Sequence, residues 1–457
     1  MVQIKNREQI IQNGQTPKVQ RARSIALKSL ECALNIVDPK QLVQAKVKVE
    51  NSCLKVENWS LDLAGVKHVY VVGGGKAGAA MALATEEILG SLITESVVNV
   101  PYGAKKETRV IELIEASHPI PDQAGVEGTR KMVAIAEKAD AHDLVICLIS
   151  GGGSSLMPLP RDGITLDDKQ VVTGVMLKSG ADIAEISAVR KHLSAFKGGW
   201  LAKKAYPATV VSLILSDVVG DKLDSIASGP TVPDSSTFAE AVRILEVRLW
   251  ESSPFSVRKA LSDGAAGLLE ETPKPGDPVF ANVHNFIVGN NRTASQAAAE
   301  CLKSEGLKTV HFDEPLEGEA RQIGKALASF AGKVSGSDFS LPRPIGVVAG
   351  GETTVTVVGQ GLGGRNQELA LAAARYLGGA ETCVIASLST DGVDGPTEAA
   401  GAVVDAYSLE RASKLGLDAE KALAENDSNN FFAKLGDLII TGPTGTNVND
   451  ISVIVIL

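Results

Sequence analysis

Apolar residues recur at Ala22, Ile25, Ala26, Leu30, Ala33 and Leu34, three or four positions apart, so the stretch from Val19 to Asn35 predicts a packing helix with one buried face. From there short apolar runs alternate with helical stretches: His68 to Val72, Val97 to Val100, Asp143 to Ile149 and Thr209 to Ser216. Runs of that length between amphipathic segments predict parallel strands buried on both faces and joined by helical crossovers. The pattern is that of an α/β, doubly wound, Rossmann-like N-terminal domain. Three prolines and a glycine between Glu271 and Phe280 predict an extended, helix-free connection, which divides the chain into domains 1–275 and 276–457.

Beyond that connection, apolar runs continue at Asn285 to Val288, Gly346 to Ala349, Thr353 to Val358, Cys383 to Ser389 and Ile451 to Leu457. Gly350-Gly351-Glu352 is too short for a crossover helix, so the two runs flanking it predict an antiparallel hairpin, and the second domain a mixed sheet. Ala331 to Pro344 reads as a polar surface loop.

Composition narrows the function classes. At 457 residues two domains are expected, and 45 glycines indicate many tight loops. A net charge of −9 argues against a nucleic-acid or anionic-membrane binder, so any anionic ligand must meet a local positive pocket. Cys32, Cys53, Cys147, Cys301 and Cys383 show neither zinc-type spacing nor a disulfide framework, and no apolar run approaches the length of a membrane span. A cytoplasmic protein is expected, its oligomeric state open with a homodimer among the options.

Candidate chemistry sits in loops after the strands. Gly73-Gly74-Gly75-Lys76-Ala77-Gly78 follows VYVV and opens an Ala-rich helix. It offers either an anion site around Lys76 or a glycine turn for close packing; only the first reading explains the lysine. The expected ribose-binding acid after the next strand is replaced by Pro101 and Tyr102, which weakens a dinucleotide reading. Ser150-Gly151-Gly152-Gly153-Ser154-Ser155 exposes backbone donors and hydroxyls and is the better anion cradle. Arg190, Ser194 and Lys197 fall at helical spacing, which would put two cations on one face, although a solvated basic helix end explains each singly. Asp217, Asp221 and Asp224 follow a strand, where carboxylates hold Mg²⁺ or accept a hydroxyl proton, or merely cap turns. In the second domain Arg365 stands behind a four-glycine loop, suited to neutralising a phosphoryl group, and Asp391 and Asp394 are candidate metal carboxylates. Together the loops suggest a cleft supplied by both domains.

As a set, VVGGGKAG, SHPIPD, LISGGGSSL, VRKHLSAFKGG, LSDVVGDKLDSIASGPT, GGETTVTV, GQGLGGRNQELAL, STDGVDGPTEAAGAVVD and TGPTGTNVNDI closely resemble the two-domain glycerate kinases whose C-terminal half is called the MOFRL domain. The resemblance runs from about Val19 to the C-terminus. It implies ATP- and Mg²⁺-dependent phosphorylation of D-glycerate, usually at the 2-hydroxyl, in a cleft between the domains. It carries a functional lysine onto Lys76, a functional arginine onto Arg365 and the SGGGS loop onto Ser150 to Ser154. Trp200 and Gln123 depart from residues common in that family. The site expected on these grounds places glycerate on Lys76, Ser150, Arg190 and Lys197, and triphosphate along Gly151 to Ser155. Catalytic roles fall to Lys76, Arg365 and Asp217, with metal on Asp221, Asp391 and Asp394. An NAD(P)H-dependent hydroxypyruvate reductase and a non-catalytic metabolite sensor are the rival readings.

Overall fold

The computed structural model describes residues 2–335 and 343–457, the side chain of Arg248 excepted. Contacts divide the chain into one unit of Pro39–Val288 and another that joins Met1–Asp38 to Gly289–Leu457. The division therefore falls at Val288–Gly289, not within Glu271 to Phe280, and it returns the N-terminus to the C-terminal unit. The start of the proline-rich segment packs into the first unit: Thr272 is buried, its hydroxyl donates to Asp234, and the Pro273 carbonyl accepts from the Asp234 amide.

The first unit is built on a six-stranded sheet of β1 (Val69–Gly74), β2 (Ile93–Pro101), β3 (Glu112–Ala116), β4 (Leu144–Ser150), β5 (Thr209–Leu215) and β6 (Val283–Gly289). Their spatial order is β3-β2-β1-β4-β5-β6. The pairs β1–β2, β2–β3, β1–β4 and β4–β5 are parallel. Every residue of β1 and β4 is buried, as expected for strands covered on both faces. The helices Gly78–Leu89 and Gln123–Ala136 lie between successive strands. Chain direction across the sheet reverses between β1 and β4, so loops leaving their C-terminal ends open the crevice where ligands of this architecture bind. A three-stranded antiparallel sheet, residues 47–62, and a helical cluster around Phe238 complete the unit, and neither was foreseen from the pattern.

In the second unit β7 (Lys308–His311), β8 (Leu316–Glu319), β9 (Ile345–Thr354), β10 (Cys383–Ser389), β11 (Gly401–Asp405), β12 (Leu438–Ile439) and β13 (Asp450–Ile456) form a mixed sheet of order β7-β9-β13-β10-β11-β12, with β8 paired to β9. The expected hairpin at Gly350-Gly351-Glu352 does not form; β9 runs straight through. Its glycines answer to close approach instead: a Cβ at Gly350 would lie 1.7 Å from Asn291 Oδ1, and one at Gly351 would lie 2.3 Å from the Leu316 carbonyl oxygen. The sheet is mixed because β9 pairs parallel to β7 and antiparallel to β13. Of the expected polar loop, Ala331 to Ser335 closes the helix Ala320–Ser335 because Ala331 and Val334 are buried, and residues 336–342 lie outside the described residues. The helix Pro17–Ile36 buries Ala22, Ile25, Ala26, Leu30, Ala33 and Leu34, all six expected core positions, in this unit.

Candidate active site

Two glycine loops leave β1 and β4 side by side, and packing separates their roles. A Cβ at Gly73 would come within 2.0 Å of the Leu148 carbonyl oxygen, and one at Gly75 within 2.0 Å of Ser150 Oγ. Gly75 N–H donates to the Asn99 carbonyl, Lys76 N–H to the Gly151 carbonyl and Ala77 N–H to Ser150 Oγ, at 3.1, 2.8 and 3.1 Å. These amides serve the protein, so the first loop is a packing turn that carries Lys76, not a backbone anion cradle. Ser150 is buried and its hydroxyl accepts from the Ala77 amide, so it holds the first loop in place.

The second loop differs. The amides of Gly152, Gly153 and Ser154 meet no protein acceptor among the described residues. Gly152 adopts φ 78°, a left-handed conformation that glycine takes without steric cost, and successive amides in such turns form anion-binding concavities. Three side chains crowd this loop. A Cβ on Gly152 would lie 2.8 Å from His118 Cδ2, 3.0 Å from His118 Nε2 and 3.3 Å from Lys76 Cγ; one on Gly151 would lie 2.1 Å from Asp217 Oδ2. Lys76, His118 and Asp217 therefore flank the same two glycines, each half-buried. Burial and the neighbouring Lys76 hold the His118 imidazole below its ordinary pKa, and so neutral at pH 7.

The loop after β5 is strained. Asp221, Ala227 and Ser228 have φ of 53°, 50° and 60°, values that non-glycine residues rarely hold without surrounding support. Ala227 packs on Gly153, and Ser228 Oγ stands 3.1 Å from Ser154 Oγ, which brings a second hydroxyl to the open loop. Ser155, at the loop's far end, is buried.

Arg190 and Lys197 do not share a helical face. The helix Ile183–His192 ends before Ser194, whose hydroxyl accepts from the Phe196 and Lys197 amides and turns the chain. Lys197 is buried with its ammonium on the Met157 carbonyl, and Lys169, also buried, donates to the neighbouring Pro158 carbonyl at 2.8 Å. Burial lowers the pKa of Arg190 and Lys169, the latter to about 7, and lowers Lys197 well below its usual range. After burial, Arg190 lowers both lysines further and Lys169 lowers Lys197, and none of the three pairs with a carboxylate among the described residues. Lys169 was missed in the sequence because a lysine in a helical stretch reads as solvated.

In the other unit Arg365 opens the helix Arg365–Ala374 with its guanidinium engaged: Nε and Nη2 donate to Asp450 at 2.6 and 2.9 Å, and Nη1 to Glu352 at 2.7 Å. Burial would lower its pKa, but the two carboxylates outweigh it and keep the group charged. The preceding glycines again answer to packing, since Cβ atoms at Gly359, Gly361, Gly363 and Gly364 would each clash at 2.3 to 2.4 Å. Asp394 is no metal ligand: it is buried, and its carboxylate accepts from the amides and side chains of Asn366 and Gln367 at that helix's start. Asp391 accepts from Ser389 Oγ and the Val393 amide in a tight turn.

No group of three or more His, Cys, Asp or Glu side chains gathers as a metal site among the described residues. Mg²⁺ beside nucleotides takes one or two carboxylates and completes its shell with water and phosphate oxygens. Asp217, set against Gly151 at the open loop, fits that demand; Asp394 does not.

A lysine, a neutral imidazole, a carboxylate and unclaimed amides at the β1–β4 crevice define an α/β protein equipped to act on small anionic molecules. The domain of unknown function DUF4147 matches residues 25–262, and the MOFRL family matches residues 345–450. The chain belongs to the glycerate kinase family that joins these two domains. It is 43% identical over 436 residues to a glycerate 2-kinase from Pyrococcus horikoshii, covering 95% of this chain and 97% of that one. It is 44% identical over 384 residues to a D-glycerate 2-kinase from Thermotoga maritima, covering 84% and 89%. A crystal structure of glycerate kinase from Thermotoga maritima superposes with a TM-score of 0.84 at 40% identity, over 95% of this chain and 99% of that one.

Proposed function

We propose that this protein transfers the γ-phosphoryl group of ATP to the 2-hydroxyl of D-glycerate, giving 2-phosphoglycerate and ADP. The observation that carries the reading is the open loop Gly152–Ser154 beside Lys76, an amide cradle with a cation at its edge. The named relatives point to the same substrate pair. Phosphate oxygens are taken by the Gly152, Gly153 and Ser154 amides with the Ser154 and Ser228 hydroxyls, and the glycerate carboxylate by Lys76. Asp217 would hold a magnesium ion, which would withdraw charge from the phosphate oxygens. Arg190 adds positive potential without a carboxylate to cancel it, and Lys169, with a pKa of about 7, adds part of a charge at neutral pH. Arg365 keeps two of the five N–H donors of a guanidinium for a ligand once Asp450 and Glu352 are served.

The engaged amides of the Gly73–Gly78 loop speak against a dinucleotide cofactor there. No helix among the described residues is long and apolar enough to cross a membrane, and five cysteines free of disulfides accord with the cytoplasm. The deciding experiment is a coupled assay of ADP release with ATP and Mg²⁺, followed by ³¹P NMR of the product. Release that requires D-glycerate and a 2-phosphoglycerate signal is expected. No release with D-glycerate, together with NADH oxidation on hydroxypyruvate, would replace the kinase by a reductase.

A further inference from the structure

The SHPIPD loop after β3 contributes a group to which the sequence assigned no role. His118 brings its Nε2 edge to Gly152, the residue whose amide opens the anion cradle, and its ring lies beside the stem of Lys76. Neither ring nitrogen is hydrogen-bonded to a described residue. A half-buried imidazole normally finds a partner, and one left without a protein partner at the edge of a ligand loop is available to a ligand. Phosphorylating an alcohol requires a proton acceptor within hydrogen-bond reach of the hydroxyl, with a basicity matched to neutral pH. A carboxylate serving a metal ion is the weaker acceptor under those conditions.

We propose that His118 is the general base of the reaction, its imidazole taking the proton of the glycerate hydroxyl as that oxygen attacks the γ-phosphorus. This rests on the kinase reading above. The hydroxyl oxygen forms the new P–O bond, the bond between the γ-phosphorus and the β–γ bridging oxygen breaks with its electron pair leaving on ADP, and the hydroxyl proton moves to Nε2 and then to solvent. Lys76 is the charged group acting on the ring. It serves the proposal twice, anchoring the substrate carboxylate and adding to the burial that keeps the imidazole unprotonated.

The test is steady-state kinetics of the full-length protein with D-glycerate, ATP and Mg²⁺, wild type first. If the wild type releases no ADP with glycerate, the kinase reading fails before His118 is reached. Given activity, His118→Gln and His118→Asn are expected to lower kcat about 10²- to 10⁴-fold, the usual range for a general base, with both KM values within about threefold of wild type. Imidazole added to His118→Ala is expected to restore part of kcat. Independently of any variant, wild-type kcat is expected to fall as pH drops through a midpoint below the ordinary histidine value of about 6.5, since only the neutral ring accepts a proton. A wild-type kcat flat down to about pH 5 overturns the assignment, as does a His118→Gln kcat within about threefold of wild type, or a loss confined to KM.

Discussion

Lys169 holds its ammonium where water does not reach, with one carbonyl for a partner and two other cations nearby. Its pKa is about 7 in the folded chain against an ordinary 10.5, so between those values the unfolded chain binds a proton that the folded chain has released. Stability therefore rises with pH across that window, and Lys197 contributes in the same direction. Thermal melts from pH 7 to 9.5 are expected to show Tm climbing in the wild type and climbing less in Lys169→Met; equal slopes would mean that the charge is compensated in solution. Lys76 invites a binding measurement. Hydrogen bonds to charged groups contribute about 1.5–3 kcal/mol, so Lys76→Ala is expected to weaken glycerate binding by calorimetry at least about tenfold, and an unchanged affinity would remove the lysine from the substrate. Lys76 was legible in the sequence because a turn built for packing gives no reason for a lysine. The role of His118 was not: SHPIPD was legible as one of the motifs of the family resemblance, but only the fold sets its histidine against Gly152. Asp394 misled for the opposite reason: a carboxylate after a strand looks the same in sequence whether it meets a metal or the start of a helix.

Glycine-rich elements look alike as text and divide into two kinds in space. Around Gly73–Gly78 and Gly359–Gly364 the missing Cβ makes room for neighbouring chain, while the amides of Gly152 and Gly153 are left unclaimed. Two substitutions separate the kinds. Gly75→Ala, at φ 153° and 2.0 Å from Ser150 Oγ, is expected to cost about 2 kcal/mol or more of folding stability, with activity lost as a consequence. Gly152→Ala meets only side chains, so denaturant melts are expected to show a loss of about 1 kcal/mol while kcat falls at least tenfold. If both variants lose stability and activity in the same proportion, the distinction between scaffold loop and ligand loop fails. Parallel strands were legible from their length and uniform apolarity. The short strands β7, β8, β11 and β12 were not, because a run of two to five residues carries too little periodicity to separate it from loop. The continuous β9 was hidden by glycines that mimic a turn.

At the scale of the whole chain, the N-terminal helix belongs to a unit whose remaining residues begin at Gly289. The helical period of Pro17–Ile36 was plain in the sequence, but periodicity says that a face is buried and not against what. Arg23 shows what the helix completes. It is fully buried, Nε donates to Asp405 at 2.7 Å, Nη1 donates to Asp437 at 2.7 Å, and Arg411 closes the network on Asp437. Removing one partner of such a group leaves uncompensated buried charge, so Arg23→Ala is expected to cost about 3–5 kcal/mol. The same dependence predicts how the chain can be cut. Residues 289–457 alone would retain Asp405 and Asp437 without their arginine and would expose the face that Leu27, Leu30 and Leu34 cover, so a cooperative thermal transition is not expected. Joining residues 1–38 to the C-terminus of that fragment through a flexible linker is expected to restore one, and residues 39–288 are expected to melt cooperatively alone. Calorimetry of the three pieces decides the matter: if 289–457 melts cooperatively without the helix, Arg23 is an accessory to that core, and if it melts only with the helix, the unit folds from the two ends of the chain.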